Sequence, residues 1–354
     1  MAQKITLTSG SVLNGNPITF TIQPNVITGT DDDGNIVYPS FHRVILEITC
    51  GMSGGDFETI KMSSPVETES NTAEVKVDVS SALRTFRDSY EYTVLPTTYP
   101  IVKFTVKAYD EYMLSGEVKQ TGTVYFPSET TYLCTLFGAF SDLDRLTSNG
   151  TKGLKTLTRK PSSAPQIVAV GETLVYTPAY SAEQTLENSA SLIAPTSKVV
   201  DVTKEGSQTL GYQSVYALPI VEADSRQQFR FINQYGVLES ASVPRAYSRK
   251  VSVASTSYNI ARQETFSSFS RTTVVKQNNR ESWLYTTDPL DEKWLEWYTH
   301  EFLMSEHIWM LIGENWLPCT ITPEEDTTLI DHTNSNMYSI SFAAKLDING
   351  SPLI

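Results

Sequence analysis

Residues 73–79 read Ala73-Glu74-Val75-Lys76-Val77-Asp78-Val79, an unbroken alternation of apolar and charged side chains. A period of two puts the apolar groups on one side of an extended chain and the charges on the other. The stretch is therefore predicted to be a half-buried strand. The same period recurs on either side of it. Val44, Leu46, Ile48 and Cys50 alternate with Arg43, Ile45, Glu47 and Thr49. Val102, Phe104, Val106 and Ala108 alternate with Lys103, Thr105 and Lys107. Turn residues punctuate these runs at Asn14-Gly15-Asn16-Pro17, Asp33-Gly34-Asn35 and Ser53-Gly54-Gly55-Asp56. Strands at this spacing predict an immunoglobulin-like β-sandwich over residues 1–127. The Cys…Trp…Cys hallmark of antibody domains is missing, because no Trp precedes Trp283.

Past Pro127 the pattern weakens, and Ser, Thr, Gly and Lys become dense through residues 142–163. Residues 128–165 are expected to be a linker or an extended arm. A second sandwich-like unit is expected over 166–246, its strongest strand centred on Phe229-Arg230-Phe231-Ile232 and stopped by Gly236. Residues 247–354 are expected to form a β-rich unit with a helix over 289–304. There Asp288 is the expected N-cap, Pro289 takes the first helical position, and Asp291 and Glu292 lie in the first turn. Leu290, Trp294, Trp297, Tyr298 and Phe302 recur at helical spacing and give that helix one apolar face. Strands are predicted around it at 251–258, 272–276, 282–285, 308–312, 316–322 and 338–348. The fold class read from the sequence is mainly β: tandem immunoglobulin-like β-sandwich modules and a C-terminal α+β unit carrying one helix.

Composition narrows the function. The chain has 354 residues, enough for two or three domains, and 40% of them are hydrophobic, enough for a sizeable core. A net charge of −13 with no run of Lys or Arg argues against nucleic acid as a partner. Asp31-Asp32-Asp33 and Glu324-Glu325-Asp326 read as solvated turns, since neither has the alternating ligands of a calcium loop. No apolar signal segment and no run of about 18 apolar residues is present, so neither export by a signal peptide nor a membrane span is expected. Cys50, Cys134 and Cys319 are odd in number and far apart, and read as small buried apolar residues in a protein made in a reducing cytoplasm.

No GxSxG, HExxH, GxxxxGK[ST] or GxGxxG occurs. His300 and His307 lie seven residues apart, whereas a helical zinc pair is spaced by about three to five. Paired carboxylates for glycoside hydrolysis are defined by tertiary geometry, so no Asp or Glu is singled out. No catalytic, cofactor or metal residue is therefore assigned, and no enzyme is expected. All five Trp fall between 283 and 316. They are either core and interface residues or a platform for a sugar. Trp309 and Trp316 flank a short hairpin and are expected to pack across it.

Two sets of residues carry a resemblance. The first is Phe229-Arg230-Phe231-Ile232-Asn233-Gln234-Tyr235-Gly236-Val237-Leu238-Glu239. The second runs from Trp283-Leu284-Tyr285 through Asp288-Pro289-Leu290, Trp294-Leu295-Glu296-Trp297 and Leu303-Met304-Ser305, then Trp316-Leu317-Pro318-Cys319-Thr320-Ile321-Thr322, to Tyr338-Ser339-Ile340-Ser341-Phe342. This order resembles tail- or baseplate-associated virion proteins of phages infecting Bacteroides-type bacteria, over about residues 225–348. The resemblance implies a structural component of a phage virion, in the tail, baseplate or tail tip. Its partners would be other virion proteins and copies of itself, and it carries over no active site. The alternative is a carbohydrate- or receptor-binding module that meets a host surface glycan through the Trp-rich segment. Trp309, Trp316, Tyr235, Arg245 and Tyr247 are the candidate interface or ligand residues under either reading.

Overall fold

The computed structural model describes residues 5–9, 13–52, 54–66, 74–88, 90, 92, 95–121, 124–127, 131–139, 156–162, 164–178, 195–260, 271–323 and 338–346. The chain is mainly β, with several sheets and two α-helices among the described residues. It divides into two compact units. The first takes Met1–Leu157, Pro178–Ser197 and Gln234–Val237; the second takes Thr158–Thr177, Lys198–Asn233 and Leu238–Ile354.

In the first unit β1 (Ile5–Ser9), β2 (Thr19–Ile22) and β7 (Val75–Asp78) form a three-stranded antiparallel sheet. A small hairpin pairs β3 (Gly29–Thr30) with β4 (Ile36–Val37). The larger sheet is built on β5 (Phe41–Met52) and β8 (Ile101–Leu114), with β6 (Phe57–Pro65) beside β5, and β9 (Glu117–Gln120) and β10 (Tyr132–Thr135) on β8. The two larger sheets share one core. Ile5, Phe20, Ile22, Val75 and Val77 from one side meet Val44, Leu46, Ile48, Cys50, Val102, Phe104 and Val106 from the other. The alternations read from the sequence thus point where their period requires. Residues 128–165 were expected to be a linker or arm; within them Tyr132 and Cys134 alternate inward, and β10 is a strand of the larger sheet.

The outer face of that sheet is held by charge. Glu47 sits opposite both Lys61 and Lys107, at 2.8 and 2.6 Å, and Arg43 pairs with Glu111 across β5 and β8. Bonding to Lys107 and then to Lys61 holds the Glu47 carboxyl down to about 2.

The first unit also holds a helix that the sequence reading did not assign. Helix α1 (Ser80–Asp88) follows β7 and lays Ala82, Leu83 and Phe86 against the core. Asp78 accepts from the Ser80 and Ile18 amides, which turns the chain out of the strand and into the helix.

The second unit opens with β11 (Gln166–Ala169), β12 (Thr173–Tyr176), β13 (Lys198–Asp201), β14 (Gly206–Leu210) and β15 (Gln213–Leu218). β11 lies parallel to β15, β14 antiparallel to it, and β12 pairs with β13. A seven-stranded antiparallel sheet follows. It contains β16 (Arg226–Ile232), β17 (Leu238–Pro244), β18 (Ser248–Ile260), β19 (Arg271–Thr286), β20 (Ile308–Ile312), β21 (Asn315–Pro323) and β22 (Ser341–Leu346). Its order is β17-β16-β20-β21-β22-β19-β18. The boundary expected at 246/247 therefore falls inside one sheet, because β16 pairs with β20 as well as with β17. The strands expected at 272–276 and 282–285 are one continuous strand, β19, with a register shift opposite Val253/Ala254.

One face of this sheet packs on helix α2 (Glu292–Trp297). Phe229, Phe231, Tyr285, Met310, Ile321, Phe342 and Ala344 meet Trp294, Leu295, Trp297, Tyr298 and Phe302. The helix is capped by Asp291, whose Oδ1 accepts from the Trp294 amide at 2.9 Å, and not by Asp288. The reason lies in the two residues before it. Leu290 and Tyr338 exchange both backbone hydrogen bonds, so Pro289-Leu290 is held extended and cannot enter the first turn. α2 is also shorter than the expected 289–304. It widens into a π turn over Tyr298–Phe302, closed by Leu303 N–H to Tyr298 C=O.

Candidate functional site

The five candidate residues occupy different surroundings. Trp309 is buried and stands opposite Arg230 and Pro318 in the ladder. Trp316 faces Leu311, so the two indoles are diagonal rather than directly paired. Arg230 sits over Trp316 instead, its guanidinium carbon 4.1 Å from the ring centroid, and donates to the Thr173 hydroxyl at 2.8 Å. Burial lowers Arg230 to about 10. The Trp316 ring is thus capped by a cation from its own chain. Trp294 and Trp297 are core, in edge contact with each other at 5.3 Å. Tyr235 is buried in the first unit, where its carbonyl comes so close to Gly138 that a Cβ there would lie 2.2 Å from the oxygen. Arg245 and Tyr247 are on the surface, Tyr247 with 59% exposure. The structure does not bring the five together.

Sequence reading missed a buried charged cluster in the second unit. Arg226, at the start of β16, donates to both carboxylate oxygens of Asp288 at 3.2 and 2.7 Å, to the Ser242 hydroxyl at 2.8 Å, and to the carbonyls of Ile167 and Ser242. Glu172 lies 3.8 Å from the same guanidinium and accepts from the Ser242 hydroxyl at 2.9 Å. Burial pushes the Glu172 carboxyl up to about 7, against the pull of Arg226. The Tyr298 hydroxyl donates to the Ser242 carbonyl, and burial raises its ionisation well above the usual phenol. These groups come from positions up to 126 residues apart in the sequence (172 to 298), so no local spacing announces them.

Beside this cluster is a pocket of about 290 Å³, walled by Gln166, Ile167, Tyr216, Asp288, Trp294 and Tyr298. Asp288 lies in its wall with Arg226 behind it, and Asp291 stands at its edge with one oxygen committed to the helix cap. The buried Gln166 amide donates to the Ser240 carbonyl at 3.3 Å, while its Oε1 has no hydrogen-bond partner among the described residues. The polar side-chain atoms left for a ligand are therefore mainly acceptors, set between aromatic rings. Such a lining suits a compact molecule with several hydroxyl donors and an apolar face.

The first unit holds a second buried network. Asp110 accepts from the Tyr125 hydroxyl at 2.6 Å and from Asn25 Nδ2 at 2.8 Å, and meets His42 Nε2 at 3.1 Å. It ties β5, β8 and two flanking segments together. Among the described residues no group of three His, Cys, Asp or Glu side chains is placed to hold a metal ion. Cys50, Cys134 and Cys319 are buried free thiols. Asp31 forms a local turn, accepting from the Asp33 and Asn35 amides; residues 324–326 lie outside the described part. No helix among the described residues is long and apolar enough to cross a membrane.

The longest strand pairing among the described residues is the β18–β19 hairpin. β22 pairs only with Ser282–Thr286 of β19, whereas β18 and β19 continue together from Val251↔Glu281 to Ile260↔Arg271. Those ten pairs have no third strand among the described residues, and at roughly 3.3 Å per residue they span about 30 Å. No family model matches the chain, and no curated protein matches it either.

Proposed function

We propose that this chain is a structural component of a phage virion, in the tail, baseplate or tail tip, and that it assembles through β-rich edges. In this reading the first unit is an immunoglobulin-like sandwich module and the second carries the assembling element. The observation behind it is the β18–β19 ribbon, which runs on for ten pairs with no third strand among the described residues. An isolated two-stranded ribbon is marginal in water, and both of its edges present backbone groups to any neighbouring chain. The resemblance of residues 225–348 to tail- and baseplate-associated proteins points the same way. The test is quantitative mass spectrometry of purified phage particles. Multiple copies of the chain per particle are expected. Absence from particles, with the chain present in the infected cell, overturns the reading.

The pocket beside Arg226 and Asp288 favours a second reading, a module that binds a host surface glycan. Calorimetric titration with a panel of monosaccharides tests it. Saturable binding lost in Tyr216→Ala supports it, and no heat with any sugar removes it.

A further inference from the structure

The charge of the chain is split sharply around the ribbon. Residues 248–286 carry six basic side chains (Arg249, Lys250, Arg262, Arg271, Lys276 and Arg280) against two acidic ones, Glu264 and Glu281. Residues 287–354, which follow directly, carry twelve acidic residues against two basic ones, Lys293 and Lys345. The ribbon is thus a net basic stretch in a chain of net charge −13. In the acidic stretch Glu292, Glu296, Glu306 and Glu314 are exposed, on α2 and around β20.

From these facts we infer that the ribbon of one copy docks on the acidic α2 side of a second copy of the same chain. This rests on the assembly reading above and names its first partner. Three observations select a second copy. The ribbon has no third strand beside it among the described residues, and a strand edge without a neighbour is open to pairing with another chain. Two copies of net charge −13 repel each other except where a basic element of one meets an acidic face of the other, so charge also fixes the orientation. The contact joins two different surfaces. It is therefore head-to-tail, and such contacts close into rings or continue as filaments, as a repeated structural component needs. Nucleic acid would also meet a basic ribbon, but the dense acidic stretch that follows would repel it.

The test uses the full-length protein and three forms of it: wild type, the ribbon variant Lys276→Glu/Arg280→Glu, and the face variant Glu292→Lys/Glu296→Lys. Light scattering over a concentration series at low and high salt measures self-association, with circular dichroism confirming that each variant is folded. Lys250→Glu, at the exposed base of the ribbon, is the substitute should the double ribbon variant misfold. Wild type is expected to form ordered oligomers at low salt and to lose them at high salt. Each variant alone is expected to associate roughly tenfold more weakly or worse. An equimolar mixture of the two variants is expected to recover association, because the reversed ribbon of one then meets the reversed face of the other. The inference is overturned by a wild-type protein that stays monomeric at every concentration, by oligomers indifferent to salt and to both variants, or by a mixture that fails to recover. It is equally overturned if the wild type binds duplex DNA through the ribbon in preference to itself. In any of these cases the presence of the chain in particles, measured separately, still decides the virion reading.

Discussion

β5 with β8 and β18 with β19 are the two longest strand pairings among the described residues, and they end in opposite situations. β5 and β8 register over twelve pairs, from Phe41↔Met113 to Met52↔Val102. β6 lies on one flank and β9 and β10 on the other; Val44, Leu46, Ile48 and Cys50 face a core, and Glu47, Lys61 and Lys107 lock the opposite face. β18 and β19 register over thirteen pairs, and for ten of them no third strand pairs with either among the described residues. The backbone ladder is the same in both. Since a hydrogen bond exchanged with water contributes only about 1 kcal/mol net, a ladder alone does not hold a sheet. Flanking strands and a buried face do. Among the described residues the first sheet has both, and the outer ten pairs of β18 and β19 have no flanking strand.

The largest expected effect lies on the complete side. Phe104→Ala removes a fully buried ring stacked on Tyr132 at 5.3 Å, and should lower unfolding stability by about 4 kcal/mol in denaturant titrations. A loss below about 1 kcal/mol would mean that the larger sheet is no better held than the ribbon. Asp110→Ala should cost about 3 kcal/mol, because His42, the Tyr125 hydroxyl and Asn25 lose their shared buried acceptor. Asp110→Asn, which keeps an acceptor oxygen, should recover part of that loss.

Glu172→Gln sharpens the contrast through pH. Burial raises this carboxyl to about 7 in the folded chain, above its ordinary value near 4.5. Between those two pH values the unfolded chain has released the proton that the folded chain still holds, so this group makes stability fall as pH rises. The slope is expected to flatten in Glu172→Gln, by on the order of 3 kcal/mol over the window. An unchanged slope would show that Arg226 keeps the carboxylate ionised. The smallest effect is expected from replacing residues 252–280 by a short turn. In dilute solution this should change stability by less than about 1 kcal/mol, since a two-stranded ribbon without a third strand is marginal in water. A large loss would mean that the ribbon is completed within its own chain.

The inward faces of β5, β7 and β8 were legible in the sequence because strict alternation has a single physical reading. The Trp-rich helix was legible too, but its start was not. Asp288 and Asp291 both suit a cap, and the choice was made by Arg226, which engages Asp288, and by the Leu290–Tyr338 bridge. α1 was missed because it has nine residues, opens on Ser80-Ser81 and offers only Ala82, Leu83 and Phe86 as a pattern. Tyr235 was a candidate interface or ligand residue; it is buried, and its carbonyl lies against Gly138, far away in sequence. The Glu172–Arg226–Asp288 cluster left no trace in spacing, since strand pairing and packing assemble it from three separate segments. The two units interleave along the chain, with residues 178–197 and 234–237 in the first, so a linear division could not recover them.

Amide hydrogen exchange on the full-length protein tests the central claim most directly, comparing the ribbon with β5 and β8 at low and at high protein concentration. The account predicts that β5 and β8 are protected equally at both concentrations. The amides of residues 251–260 and 271–281 should exchange rapidly in dilute protein and become protected as the protein associates. Ribbon amides as protected as those of β5 in a monomer would contradict it, because the ribbon would then be complete without a neighbour.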